Sequence, residues 1–196
     1  MKNLKCYEGM LIVVDMINGF VKEGALHDKK IGDVVPRQIE LIKEAKANND
    51  LVVFIKDVHT EDSVEHKRFG GALHCIKGSG EEEIIDELKP YQEEAITFEK
   101  NSTSFMFAKG FIPMLEEMEN LKRVDVVGCC TDICVVNGVI PMMNYFDQNN
   151  RDITVNVHED AVETYDAPIH DRKEYTDAAI LLMAQQGAKI KRKNLR

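Results

Sequence analysis

The stretch Met10-Leu11-Ile12-Val13-Val14-Asp15 decides the fold class. Its apolar run carries no polar alternation, so a strand there is covered on both faces, which is the habit of parallel sheets. Leu51-Val52-Val53-Phe54-Ile55 repeats the pattern and closes on Lys56-Asp57. Between the two, residues 34–48 place Val35, Ile39, Ile42 and Ala45 at helical spacing, with Pro36 near the start, where its missing N–H costs little. The alternation continues outward. Strands are expected at 95–98, 124–127, 153–157 and 188–190, and helices at 81–88, 111–118, 132–146 and 172–186. The first turn Glu81-Glu82-Glu83 suits a helix dipole and reads as solvated, Pro141 predicts a kink or early break, and Gly187 predicts a stop. Such alternation means an α/β fold with a mostly parallel sheet.

The chain has 196 residues, 34 acidic and 25 basic, for a formal charge of -9. One domain over 1–196 is expected, ending in a basic tail at about 191–196. An acidic balance without a basic stripe argues against nucleic acid or an anionic membrane as the main partner. The apolar runs fall well short of the ~20 residues of a membrane span. Met1-Lys2-Asn3-Leu4-Lys5 leads into no apolar leader segment, and five cysteines without regular spacing read as reduced thiols. A cytoplasmic location is therefore expected.

In open α/β sheets, sites form beyond the carboxyl ends of strands. That rule groups Asp15, Asp57, Lys100 and the segment after Gly128. Cys134 lies just inside a helix after Gly128-Cys129-Cys130-Thr131-Asp132, where N–H groups and the helix dipole favour a thiolate and are expected to lower its pKa. A carboxylate that takes the thiol proton, an ammonium that keeps that carboxylate ionised, and N–H groups that hold an oxyanion would together make a nucleophilic site. Read singly, Asp15 is a turn cap, Lys100 a solvated ammonium and Cys134 a small buried hydrophobe. A second signal follows the second strand: Asp57 and His59, then Glu65, His66 and His74, in a long loop over 58–80. Such donors suit zinc, iron or manganese, and the alternative is a polar loop with incidental histidines. Phe20 and Phe69 read as core residues. So do Cys129 and Cys130, while His158 and His170 read as surface or capping residues.

The run Leu11-Ile12-Val13-Val14-Asp15-Met16-Ile17-Asn18-Gly19-Phe20 resembles the opening motif of the isochorismatase-like cysteine hydrolases, the superfamily that contains nicotinamidase. Gly128-Cys129-Cys130-Thr131-Asp132-Ile133-Cys134-Val135 is similar to its nucleophile motif, and Lys100 with Ser104, Phe105 and Phe107 resembles its lysine segment. The resemblance implies a three-layer α/β/α fold, catalytic Asp15, Lys100 and Cys134, a cis peptide between Cys129 and Cys130, and an oxyanion hole from the N–H groups of Cys130 and Cys134. It further implies that Asp57, His59 and His74, with Glu65 as an additional acid, hold a divalent metal, zinc first and iron or manganese next; His66 is a rival to His74. The implied activity is hydrolysis of a small amide, nicotinamide to nicotinate and ammonia. The alternatives are another small amide, a carbamoyl compound or isochorismate, or a relative that only binds. Ile17, Gly19 and the Gly70-Gly71 approach to His74 depart from the family pattern. With no Trp in the chain, Phe20 and Phe69 are the residues available to stack on a substrate ring. Assembly into a homo-oligomer is a family tendency.

Overall fold

The computed structural model describes residues 3–192; of the expected basic tail, residues 193–196 lie outside them. Six strands form one sheet: β1 (Gly9–Val14), β2 (Leu51–Asp57), β3 (Ile96–Lys100), β4 (Arg123–Cys129), β5 (Thr154–Glu163) and β6 (Lys189–Lys191), in the order β3-β2-β1-β4-β5-β6. Every pair is parallel. The helices are α1 (Asn18–Val21), α2 (Val35–Ala47), α3 (Val64–Arg68), α4 (Phe111–Glu117), α5 (Val136–Gln148) and α6 (Arg172–Gln185).

The period of two along each strand sorts side chains onto two cores. Met10, Ile12 and Val14 of β1 join Leu51, Val53 and Ile55 of β2 against Phe111, Met142 and Met183 of α4, α5 and α6. Leu11, Val13, Val52 and Phe54 face the opposite way, against Val35, Leu41 and Ile42 of α2. Helices thus cover both faces, and the all-apolar runs are what a doubly covered sheet requires. Strand order reverses direction at β1, so β1 and β4 flank the switch point of the sheet, where a crevice opens at the carboxyl ends. Gly128 makes that junction close. It has φ +123°, and a Cβ on it would lie 2.1 Å from the carbonyl oxygen of Val14.

Three expectations are corrected. Residues 81–88 form turns and no helix. Their carbonyls are taken by another segment: Asn18 N–H donates to Glu83 O and Gly19 N–H to Glu81 O, at 2.9 and 2.8 Å. The Glu82 carboxylate, 6 % exposed instead of solvated, accepts from Gly78 and Gly80 N–H. Nor does Pro141 break its helix, since α5 runs through it to Gln148 with Val139, Met142 and Phe146 buried on either side. One lost N–H is offset there by packing.

Candidate active site

Strand ends bring the predicted residues together. Asp57 and Lys100 are register partners across β2 and β3, and Asp15 follows β1 with its N–H bonded to Ile55 O at 3.0 Å. Lys100 Nζ lies 2.9 Å from Asp15 Oδ2, 2.8 Å from Asp57 Oδ1 and 3.5 Å from Cys134 Sγ. All four residues are at most 5 % exposed. Asp15 adopts φ +51°, a left-handed conformation that Asp tolerates better than most residues.

Cys134 sits in a wide π turn, Thr131–Val135, that opens α5. Val135 N–H donates to Cys130 O, five residues back, at 3.1 Å. Such turns cluster at functional sites because they present backbone and side chains outside helical register. The Cys129–Cys130 peptide is cis, as the resemblance implied.

Electrostatics correct one expectation. Burial pushes the Cys134 thiol well above its usual pKa; Lys100 pulls it down, and Asp15 and Asp57 push it further up. Burial and the neighbouring carboxylates outweigh Lys100, so the resting group is the thiol. Burial is also the largest influence on Asp15 and raises it to about 6, with Lys100 opposing and Asp57 adding. Burial alone would neutralise Lys100, but Asp15 and Asp57 hold its pKa well above the ordinary value. The result is a carboxylate poised to accept a proton beside a thiol that has one to give.

Beside these residues, the rings of His59, His66 and His74 pack edge to face, centroids 4.8 to 4.9 Å apart. Each ring spends one nitrogen on an oxygen: His59 Nδ1 with Asn101 Oδ1 at 2.6 Å, His74 Nδ1 with Ala72 O at 2.9 Å, and His66 Nε2 with His74 O at 3.2 Å. Such outward bonds fix the tautomer and leave the other nitrogen for a ligand. His66 Nδ1 is buried with no hydrogen-bond partner. His59 Nε2 lies 2.9 Å from Asp57 Oδ2 and 3.9 Å from Glu65 Oε1, and His74 Nε2 lies 3.9 Å from Asp57 Oδ2. The ligand atoms of Asp57, His59, Glu65 and His74 all lie within 4.8 Å of one another, and so do those of His59, His66 and His74. Burial lowers the His74 pKa, which favours the neutral imidazole a metal needs, while Asp57 raises that of His59 against burial. An orphaned buried nitrogen and a convergent nitrogen–oxygen set fit a divalent cation. The structure brings both His66 and His74, the rival donors, to the cluster.

A cavity of about 650 Å³ opens onto both groups: Cys130, Ile133 and Cys134 on one wall, Asp57, Glu65 and His74 on another. Phe20 and Phe69 both line it, their rings 6.2 and 6.4 Å from that of His74. Tyr165 and Arg68 line it too, and sequence reasoning missed both. Tyr165 follows a strand without any motif, and Arg68 stands in the 58–80 loop with no motif around it. Asn101, beside Lys100, was the one readable miss. His158 and His170, expected as surface or capping residues, are 8 % and 6 % exposed and paired with Asp125 and Asp132 at 2.7 and 2.8 Å. Cys129 and Cys130 are buried as expected.

Known proteins share this arrangement of chain. Nicotinamidase 1 of Arabidopsis thaliana is 26 % identical over 190 residues, covering 86 % of this chain and 74 % of its own. The crystal structure of the pyrazinamidase of Pyrococcus horikoshii in complex with zinc matches 94 % of this chain and 99 % of its own, with 26 % identity and a TM-score of 0.75. The N-carbamoylsarcosine amidase of Thermoplasma acidophilum matches 96 % and 98 %, also at 26 % and 0.75. The family model for the isochorismatase domain spans residues 9–193, so nearly the whole strand–helix alternation is accounted for, and the chain belongs to the isochorismatase family.

Proposed function

We propose that this protein is a cysteine-dependent amidohydrolase of small amides, with nicotinamide as the substrate that fits best. The observation that carries the reading is the convergence of Asp15, Lys100 and Cys134 beside a three-histidine cluster on one cavity. Asp15 takes the Cys134 proton as sulfur attacks the carboxamide carbon. The N–H groups of Cys130 and Cys134 receive the oxyanion. Asp15 then returns the proton to the departing nitrogen, which leaves as ammonia and a thioester on Cys134. In the second half Asp15 accepts a proton from the attacking water and delivers it to the sulfur, releasing the acid. Lys100 keeps Asp15 ionised between these steps and keeps the buried carboxylates from repelling one another.

Asp57, His59 and His74 would hold a divalent cation, zinc foremost, with Glu65 or His66 completing the set. When bound, the cation supplies a Lewis-acid anchor for a substrate nitrogen. Phe20 and Phe69 enclose the ring that carries the amide. Cytoplasmic action on a pyridine carboxamide agrees with reduced thiols and with the similarity to nicotinamidase and pyrazinamidase.

One observation favours a second reading. Arg68 lines the cavity with no carboxylate paired to it among the described residues, and a relative in fold is an N-carbamoylsarcosine amidase. An N-carbamoyl acid would offer Arg68 a carboxylate. Ammonia release decides between them. Nicotinamide turnover that survives Arg68→Gln supports the first reading; turnover of N-carbamoyl acids alone, lost in Arg68→Gln, replaces it.

A further inference from the structure

The nucleophile turn is held by a side chain that the mechanism above does not use. His170 Nε2 lies 2.8 Å from Oδ2 of Asp132, two residues before Cys134. The ring has no room to turn. Tyr165 stacks on it at 3.9 Å with planes 9° apart, and Tyr175 of α6 stacks at 3.7 Å and 28°. Two rings that close must occupy opposite faces. Nδ1 faces the Tyr165 carbonyl at 3.1 Å, and reciprocal bonds between the main chains of Ala167 and His170, at 3.0 and 2.9 Å, fix the backbone.

Asp132 shows what this clamp is for. An aspartate readily bonds the backbone N–H two residues further on, forming an Asx turn. For Asp132 that N–H belongs to Cys134, one of the two donors assigned to the oxyanion. The carboxylate does not take it here: its Oδ2 is bonded to His170, and Oδ1 is buried without a hydrogen-bond partner. Among the described residues, His170 is the only ion-pair partner of Asp132. Left to rotate, a buried carboxylate with an unsatisfied oxygen would seek a donor, and the Asx turn offers it the Cys134 N–H.

We propose that His170 is a positioning residue that holds the Asp132 carboxylate away from the Cys134 N–H, keeping that donor free for the oxyanion. The inference rests on the amidohydrolase reading. It assigns His170 no contact with substrate. Loss of the clamp turns Asp132 into an internal competitor, so the defect is in the chemical step and not in binding.

The test is a cycle of His170→Phe, Asp132→Ala and the double variant. His170→Phe keeps an aromatic ring between the tyrosines and removes the N–H. Removal of an oxyanion donor slows turnover ~100- to 1,000-fold, and partial competition for it should lower kcat ~10- to 100-fold with KM within ~2-fold. Adding Asp132→Ala removes the competitor and restores most of the lost kcat. A merely structural role would give no rescue, and wild-type kcat in His170→Phe or a double variant no faster than it would overturn the proposal. The same cycle with His170→Ala serves where the phenylalanine does not fold. A crystal structure of the His170→Phe or His170→Ala variant separates this proposal from the amidase reading, whatever the turnover. A carboxylate of Asp132 bonded to Cys134 N–H supports the clamp, and one left in place refutes it.

Discussion

Lys100 is the residue on which the site's charge depends. Its ammonium is fully buried between Asp15 and Asp57, so replacing it leaves two buried carboxylates facing each other. Breaking a buried pair from one side costs ~3–5 kcal/mol. Lys100→Met should lose about that much in urea unfolding, and adding Asp15→Asn should recover part of it because the two sites are coupled. Asp15 gives the activity its pH dependence. Its pKa is raised to about 6, and the working form is the carboxylate, so kcat/KM falls as pH drops through that value. At pH 5 the expected rate is about a tenth of the plateau, from the fraction still ionised; a rate–pH profile flat from about pH 7 to 5 would remove Asp15 as the base. The grouping of Asp15, Lys100 and Cys134 was legible because each lies at a strand end or a helix start. The pKa of Cys134 was not legible, because a helix start is visible in sequence while the depth of burial that overrides it is not.

At the scale of elements, the close contact of β1 and β4 at Gly128 brings Asp15 and the nucleophile turn together. An alanine there combines a left-handed φ with a Cβ inside the Val14 backbone, so the strands must part. Gly128→Ala should destabilise by about 2–6 kcal/mol, the sum of backbone strain and overpacking, and should reduce activity more than stability alone explains. Chemical denaturation beside kcat measurements checks both. The buried strands and α2, α4, α5 and α6 could be read from periodicity because burial on two faces or one leaves different spacings. The segment 81–88 could not. Its apolar spacing mimics a helix, yet its carbonyls are used by Asn18 and Gly19, residues far away in sequence. Local pattern holds no record of such a partner.

At the scale of the molecule, the net charge of -9 argues against nucleic acid and anionic membranes as main partners without describing the site. No helix among the described residues is long and apolar enough to cross a membrane. Around the triad and histidine cluster, Asp15, Asp57 and Glu65 outnumber the single buried ammonium of Lys100, an imbalance that a divalent cation would offset. Chelation should therefore lower thermal stability as well as activity. A ligand at a thousandfold excess over its Kd contributes about 4 kcal/mol, or roughly 8–16 °C for a chain of this size. His59→Ala should abolish that difference between metal-loaded and chelated protein. Spacing in the 58–80 loop left the metal donors ambiguous, because only the folded loop returns His74 to His59; the grouping of Asp57 with Lys100 followed from topology alone.

The central claim is that Cys134 is acylated during turnover. Mass spectrometry of enzyme quenched while hydrolysing nicotinamide tests it most directly. The account predicts an adduct of nicotinoyl mass on the peptide carrying Cys134, absent in Cys134→Ala along with ammonia release. Ammonia release that continues in Cys134→Ala, or turnover in which Cys134 is never modified, would contradict it.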